Sequence, residues 1–204
     1  MFTPPVASRR HVLAALSCLL LTATGLAAAD TTPLIQNTRV TVWDVAAGAT
    51  PPPARSAHDV VTILIRGTEA DVRFDARNTT RPAVPAGVRA IVVELQDAPV
   101  PTLPNTSGQP LAFPRPGSIQ VLDNARVTIW RYAWTPGQPT PMHFHDKDVV
   151  VTYLADGALT STDAKGQSVV NPHHFAYTKF NARNRVHTET LTQGQARAVM
   201  VELK

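Results

Sequence analysis

Cysteine is almost missing from this chain. The single one, Cys18, sits in an apolar stretch near the N-terminus. Without that stretch the chain has no thiol, which excludes disulfides, thiolate metal sites and cysteine nucleophiles. Ala15 stands where a lipoprotein signal would place Leu, three residues before Cys18. The sequence also lacks a Gly-x-Ser-x-Gly elbow, a Gly-x-Gly-x-x-Gly or phosphate loop, and His-Glu-x-x-His. Those absences argue against an α/β-hydrolase, a nucleotide-binding fold and the usual metalloprotease helix. Charge of one sign is lacking too. The net charge is +4 and no lysine or arginine cluster stands out, so no nucleic-acid partner is expected. After residue 30 no long segment carries a helical period.

The N-terminus reads as an export signal over 1–29. Arg9 and Arg10 form a positive start, Val12 to Thr24 is apolar, and Ala27, Ala28 and Ala29 offer a cleavage site before Asp30. The apolar stretch is too short for a membrane span, so no stable anchor is expected after cleavage. Ser8-Arg9-Arg10-His11-Val12-Leu13 resembles a twin-arginine signal, and two arginines also suit the general secretory route. Either route predicts a periplasmic or secreted protein. Cleavage would remove Arg9 and Arg10 and take the net charge from +4 to +2.

What is present is β-forming sequence, arranged twice. Arg39-Val40-Thr41-Val42-Trp43 recurs as Arg126-Val127-Thr128-Ile129-Trp130, each preceded by an asparagine, Asn37 or Asn124. Val60-Val61-Thr62-Ile63-Leu64 with Gly67 recurs as Val150-Val151-Thr152-Tyr153-Leu154 with Gly157. Arg89 to Leu95 recurs as Arg197 to Leu203. Matched blocks in one order suggest two copies of a structural unit. Their β-branched and aromatic composition, with Gly and Pro between runs, predicts short strands in a sandwich or barrel. Further strands are expected at Asp71–Phe74, Ser118–Leu122, Leu159–Thr162, Phe175–Thr178 and Val186–Glu189. Trp43 and Trp130 occupy equivalent positions and read as core. The expected divisions are a degenerate N-terminal β unit over 30–97, a proline-rich linker over 98–117 wrapping the surface in extended form, and a complete barrel over 118–204.

The segment that carries chemistry is Gly137-Gln138-Pro139-Thr140-Pro141-Met142-His143-Phe144-His145. Residues two apart on a strand share a face, so His143 and His145 would enter a barrel together while Phe144 points away. Neutral imidazoles suit Fe, Mn, Ni, Cu or Zn. The pattern Gly137, His143, His145 and Gly157 resembles the first motif of the cupin family. The resemblance covers Ser118 to Lys204 and reaches Thr38 to Asp97 only through the repeat.

That resemblance implies an all-β, double-stranded β-helix (jelly-roll) barrel holding a divalent transition metal, with His187 as the third ligand from the second motif. It also implies a small-molecule ligand or substrate, and often a homodimer. The sequence departs from the family in places. Val150 stands at the motif's glutamate position, Ala182 and Asn184 replace a Pro and a Gly before His187, and Leu191 replaces a later Asn. Asp148 and Glu189 are the candidate replacement carboxylates, for metal or for acid–base work. His173 and His174 follow Asn171-Pro172 and read as loop residues. In the N-terminal copy the ligand positions fall near Pro53 and Arg55, and His58 aligns with Asp148, so no metal set is expected there. Three functions remain open: a metal-dependent oxygenase or isomerase, a non-catalytic metal- or ligand-binding module, and a structural protein with a vestigial site.

Overall fold

The computed structural model describes residues 32–204. The export signal expected over 1–29 lies outside the described residues. Among the described residues all regular structure is strand.

The N-terminal part supplies β1 (Ile35–Gln36), β2 (Val40–Val45), β3 (Asp59–Arg66), β4 (Glu69–Asp75) and β5 (Arg89–Leu95). They form one antiparallel sheet in the order β1-β2-β5-β3-β4. The C-terminal part supplies β6 (Ile119–Asp123), β7 (Val127–Ala133), β8 (His143–His145), β9 (Asp148–Tyr153), β10 (Gly157–Asp163), β11 (Ser168–His173), β12 (Thr178–Asn181), β13 (Arg185–Gly194) and β14 (Arg197–Leu203). Within it the antiparallel pairs are nested: β7 with β14, β8 with β13, β9 with β12, and β10 with β11. This nesting winds the chain between two facing sheets, β11-β10-β13-β8 and β12-β9-β14-β7-β6. It is the jelly roll expected from the sequence.

Period-2 alternation explains how the layers stack. On β7, Val127 and Ile129 face one way, and Trp130 and Tyr132 the other. On β14, Val199, Val201 and Leu203 face one way, and Ala198 and Met200 the other. One set meets Val42, Ile63, Ile91 and Val93 of the N-terminal sheet. The other fills the barrel beside Leu159 and Leu191. The middle sheet is therefore buried on both faces, which is why its strands read as nearly continuous apolar runs. A third core, with Trp43, Val60 and Val92, covers the far face of the N-terminal sheet under Ala49, Val84 and Val88.

Several expectations need correction. Residues 175–177 form a turn, and the strand expected at Phe175–Thr178 begins only at Thr178. His173 is not a loop residue: it ends β11, is buried, and stacks on Tyr153 at 4.0 Å. The preceding Pro172 is tolerated because β11 is an edge strand. The proline-rich segment does not simply wrap the surface, since Ala112, Phe113 and Arg115 are buried. Phe144 donates to Pro110 O at 2.8 Å and Ala112 donates to Phe144 O at 2.9 Å, so the segment lies along β8.

The pairing also moves one repeat block by a residue. Asp59 pairs with Leu95 as Asp148 pairs with Leu203. Asp59, not His58, is thus the positional counterpart of Asp148. A one-residue slip would turn every side chain to the wrong face. Val61 and Val150 both enter the inter-sheet core only in this register.

Candidate metal centre

β8 and β13 bring the histidines together. Their register sets His143 opposite His187 and His145 opposite Arg185. The approach to β8 is tied to β13: Gly137 donates to Leu191 O at 3.3 Å, Thr140 donates to Glu189 O at 2.9 Å, and Glu189 N donates to Thr140 Oγ1 at 2.9 Å. The two glycines of the motif have physical reasons. Gly137 has φ +70°, a conformation that side chains disfavour. At Gly157 a Cβ would collide with the carbonyl oxygens of Gln193 and Gln195.

The three imidazoles are buried, and their ligand atoms lie within 4.8 Å of one another. His143 Nε2 is 3.2 Å from His145 Nε2, which is 3.1 Å from His187 Nε2. Nitrogens about 2.0–2.1 Å from one metal ion, at octahedral or tetrahedral angles, stand about 2.9–3.4 Å apart. The cluster could therefore hold a metal ion.

The outer nitrogens support that reading. His143 Nδ1 is 2.7 Å from Pro141 O, a pure acceptor, so Nδ1 carries the proton and Nε2 keeps its lone pair. Ser161 Oγ sits 2.7 Å from His187 Nδ1. His145 Nδ1 is buried with no hydrogen-bond partner among the described residues. Burial lowers the pKa of all three, assisted at His145 by Arg185 and the other two histidines; His187 falls to about 4. At neutral pH these are uncharged rings whose Nε2 atoms meet in one small space, and each ring can turn a lone pair on Nε2 toward a cation.

The two candidate carboxylates part company. Glu189 shares its face of β13 with His187 and lines the same small cavity. Its Oε2 is 3.8 Å from Arg115 Nη2. Burial alone would raise the Glu189 carboxyl, but nearby positive charge, Arg115 and Lys179 among it, holds it below its usual range. Asp148 does not reach the histidines, contrary to the expectation that it could replace the missing glutamate. Val149 and Val151 line the cavity, so parity turns Asp148 to the opposite face. There it accepts from Arg183 N at 2.9 Å and pairs with Arg39 Nε at 3.2 Å. Val150 faces that way too, fully buried in the inter-sheet core. His173 also stands apart from the three, bonded to Gln195 O at 3.0 Å.

Sequence reasoning missed three cations around the cavity. Arg185 precedes His187 by two residues, so strand parity alone could have found it. Lys179 on β12 lies 5.9 Å from the Tyr153 ring centroid. Arg115 comes from the proline-rich segment, where no periodic signal marks it. A wider groove of about 290 Å³, lined by Ile119, Arg131 and Arg197 among others, opens on the outside of the molecule. It contains none of the histidines, so size does not point to the chemistry.

Eight strands in nested pairs, with a histidine trio on the inner face of β8 and β13, define a jelly-roll barrel with a candidate metal centre. No protein-family model matches the chain. A 60-residue stretch is 40% identical to the Beta-alanine degradation protein BauB of Pseudomonas aeruginosa, covering 29% of this chain and 59% of that protein. The match thus spans little more than half of the relative's length. A cupin domain from Bordetella pertussis is similar over 45% of this chain and 97% of its own, at 26% identity and a TM-score of 0.39. A Cupin 2 conserved barrel domain protein from Leptotrichia buccalis is similar over 85% of this chain and 88% of its own, at 9% identity and a TM-score of 0.48.

Proposed function

We propose that this chain is an exported cupin that holds one divalent transition metal on His143, His145 and His187 and acts there on a small molecule. The observation that carries the reading is the convergence of three buried imidazoles, with His145 Nε2 at 3.1–3.2 Å from the other two and all three ligand atoms within 4.8 Å. Bound there, a metal would supply Lewis acidity toward an oxygen group, or activation of dioxygen. The chain's own residues do the rest. Pro141 O and Ser161 Oγ orient two of the rings. Trp134, Tyr153 and Met200 wall the cavity and keep water out. Glu189, ionised beside His187, is the group placed to accept and return a proton. Among the described residues no carboxylate completes the trio, which leaves coordination positions for substrate.

A second reading, a non-catalytic metal- or ligand-binding module, is favoured by one observation. β9 offers Val150 where the family motif has its glutamate. The N-terminal sheet is proposed as a cupin half reduced to a single sheet and kept for packing. The signal over 1–29 supports a periplasmic or secreted location, and the fold class supports a homodimer. Elemental analysis of the purified protein beside a His143→Ala/His145→Ala variant tests the metal. One equivalent in the parent and almost none in the variant is expected; equal content in both would overturn the proposal. Stoichiometric metal without oxygen uptake or isomerisation on a small-molecule panel would favour the binding module.

A further inference from the structure

The cavity beside the histidines has an unusual charge balance. Arg115 and Arg185 line it, and Glu189 is the one acidic residue among its lining residues. Lys179 adds a third cation nearby, pushed down by burial and attracted by Glu189. Among the described residues, neither Arg185 nor Lys179 has a carboxylate within ion-pair distance, and Arg185 Nε donates instead to Ala182 O at 2.6 Å. A divalent metal would add two further positive charges. A low-dielectric pocket with this excess of cations favours an anionic guest.

Arg115 is built to hold that guest. Its side chain is 5% exposed, and its guanidinium carbon lies 4.1 Å from the centroid of Tyr132, 4.7 Å from Phe113 and 5.6 Å from Trp134. Rings on several sides fix the plane of the fork. Its hydrogen-bonding groups are poorly used. Nε is buried without a partner, Nη2 is 3.8 Å from Glu189, and Nη1 is 3.3 Å from His143 Nε2. That last contact uses the lone pair a metal would take. Metal binding therefore releases Nη1 toward whatever else the metal binds. The cavity itself, about 20 Å³, holds about one water, so a guest reaches Arg115 with only its smallest end unless side chains move.

We propose that this pocket binds a compact aliphatic carboxylate, gripped by the Arg115 fork beside the histidine trio, and that such an acid is the substrate class of the site. The inference rests on the metal reading above and adds the guest. A carboxylate matches the planar fork through two parallel N–H donors, which a neutral amide cannot do.

The test is titration of the purified protein, with and without Co²⁺, by acetate, propionate, acetamide, benzoate and inorganic phosphate. Calorimetry and the visible Co²⁺ spectrum are the readouts. Acetate and propionate are expected to perturb the spectrum and to bind about tenfold or more tightly than acetamide. Benzoate is expected to be excluded. Arg115→Met should weaken acetate binding about tenfold while Co²⁺ stoichiometry stays at one. Arg115→Lys, which keeps the charge but loses the fork, should fall between. The comparison of acetate with acetamide on the parent chain decides the matter even if neither variant folds.

Stoichiometric Co²⁺ with acetate binding no better than acetamide would overturn the carboxylate and leave the metal standing. Tighter binding of phosphate than of acetate would overturn it as well. No Co²⁺ uptake, with Arg115-dependent acetate binding retained, would uphold the Arg115 subsite and defeat the metal reading. Loss of both would end both.

Discussion

The N-terminal sheet and the middle sheet of the barrel carry five strands each in the same arrangement, yet only one of them faces a chemical site. β1-β2-β5-β3-β4 runs parallel in order to β6-β7-β14-β9-β12. Trp43 pairs with Val92 as Trp130 pairs with Met200. Asn37 Oδ1 accepts from Arg39 and Val40 N as Asn124 Oδ1 accepts from Arg126 and Val127 N. The difference is the opposing layer. Loops bearing Ala49, Val84 and Val88 cover the far face of the N-terminal sheet. The middle sheet faces β8, β10, β11 and β13. Both ligand-bearing strands, β8 and β13, belong to that extra layer. The comparison teaches that the shared strands are scaffold, and the chemistry comes with the second sheet.

The most damaging way to probe this difference is to remove ligands. His143→Ala/His145→Ala should cut bound metal from one equivalent to below about a tenth, because a single imidazole cannot hold the ion against water. His58→Ala in the N-terminal unit should leave metal content unchanged. Elemental analysis of both variants reads the contrast. A loss of metal in the His58 variant would break the assignment of chemistry to one half.

Acid should separate the two halves next. The folded pKa of His187 is lowered to about 4 from an ordinary value near 6.5 by burial. Above pH 6.5 the ring is neutral in both folded and unfolded chains, and its contribution to stability is fully present. As pH falls from 6.5 toward 4 the unfolded chain takes up a proton that the folded chain resists. His187 alone then costs about 3 kcal/mol. The melting temperature of metal-free protein should drop across that window, and His187→Gln should make the drop shallower, the remainder coming from His143 and His145. An equally steep profile in the variant would show that His187 is not responsible.

Ile63 and Ile129 probe the contact between the halves. Both are fully buried in the core between the N-terminal and middle sheets. Either one changed to Ala should cost about 2–4 kcal/mol. Because one core joins both sheets, a single unfolding transition by circular dichroism should carry the metal site with it. Val169 on edge strand β11 is 62% exposed, and Val169→Ala should stay within about 0.5 kcal/mol. A separate early transition that leaves the metal in place would mean that the N-terminal sheet is dispensable.

Much of this architecture was legible in the sequence because alternation is a strong signal when a sheet is buried on both faces. The His-x-His pair announced its own geometry, since parity alone puts both rings on one side. Pairing across strands is a different matter. Nothing in the local sequence sets His187 opposite His143, and the degenerate second motif offered only weak guidance. Register was equally hidden: two runs of valine align as well at one offset as at the next, and only the pairing of Asp59 with Leu95 chooses between them. Arg115 was invisible for a further reason. Proline removes donors and so reads as connector, yet the carbonyl of Pro110 and the amide of Ala112 remain free to bond β8.

The smallest expected effect is the sharpest test of the comparison. Arg39 of the first half pairs with Asp148 of the second, and Arg126 of the second pairs with Asp59 of the first, at 3.2 and 3.4 Å. Each aspartate also accepts one backbone N–H, from Arg183 or Arg77, at 2.9 Å. Asparagine would keep an acceptor for that N–H and lose the charge. These pairs are mostly but not fully buried, so each change should cost about 1–2 kcal/mol, between the exposed and buried limits. Asp59→Asn and Asp148→Asn should therefore match in chemical denaturation and leave metal content untouched. If Asp148→Asn instead stripped the metal while Asp59→Asn did not, Asp148 would be tied to the ligand set and the crossed ion pairs would not be equivalent scaffold.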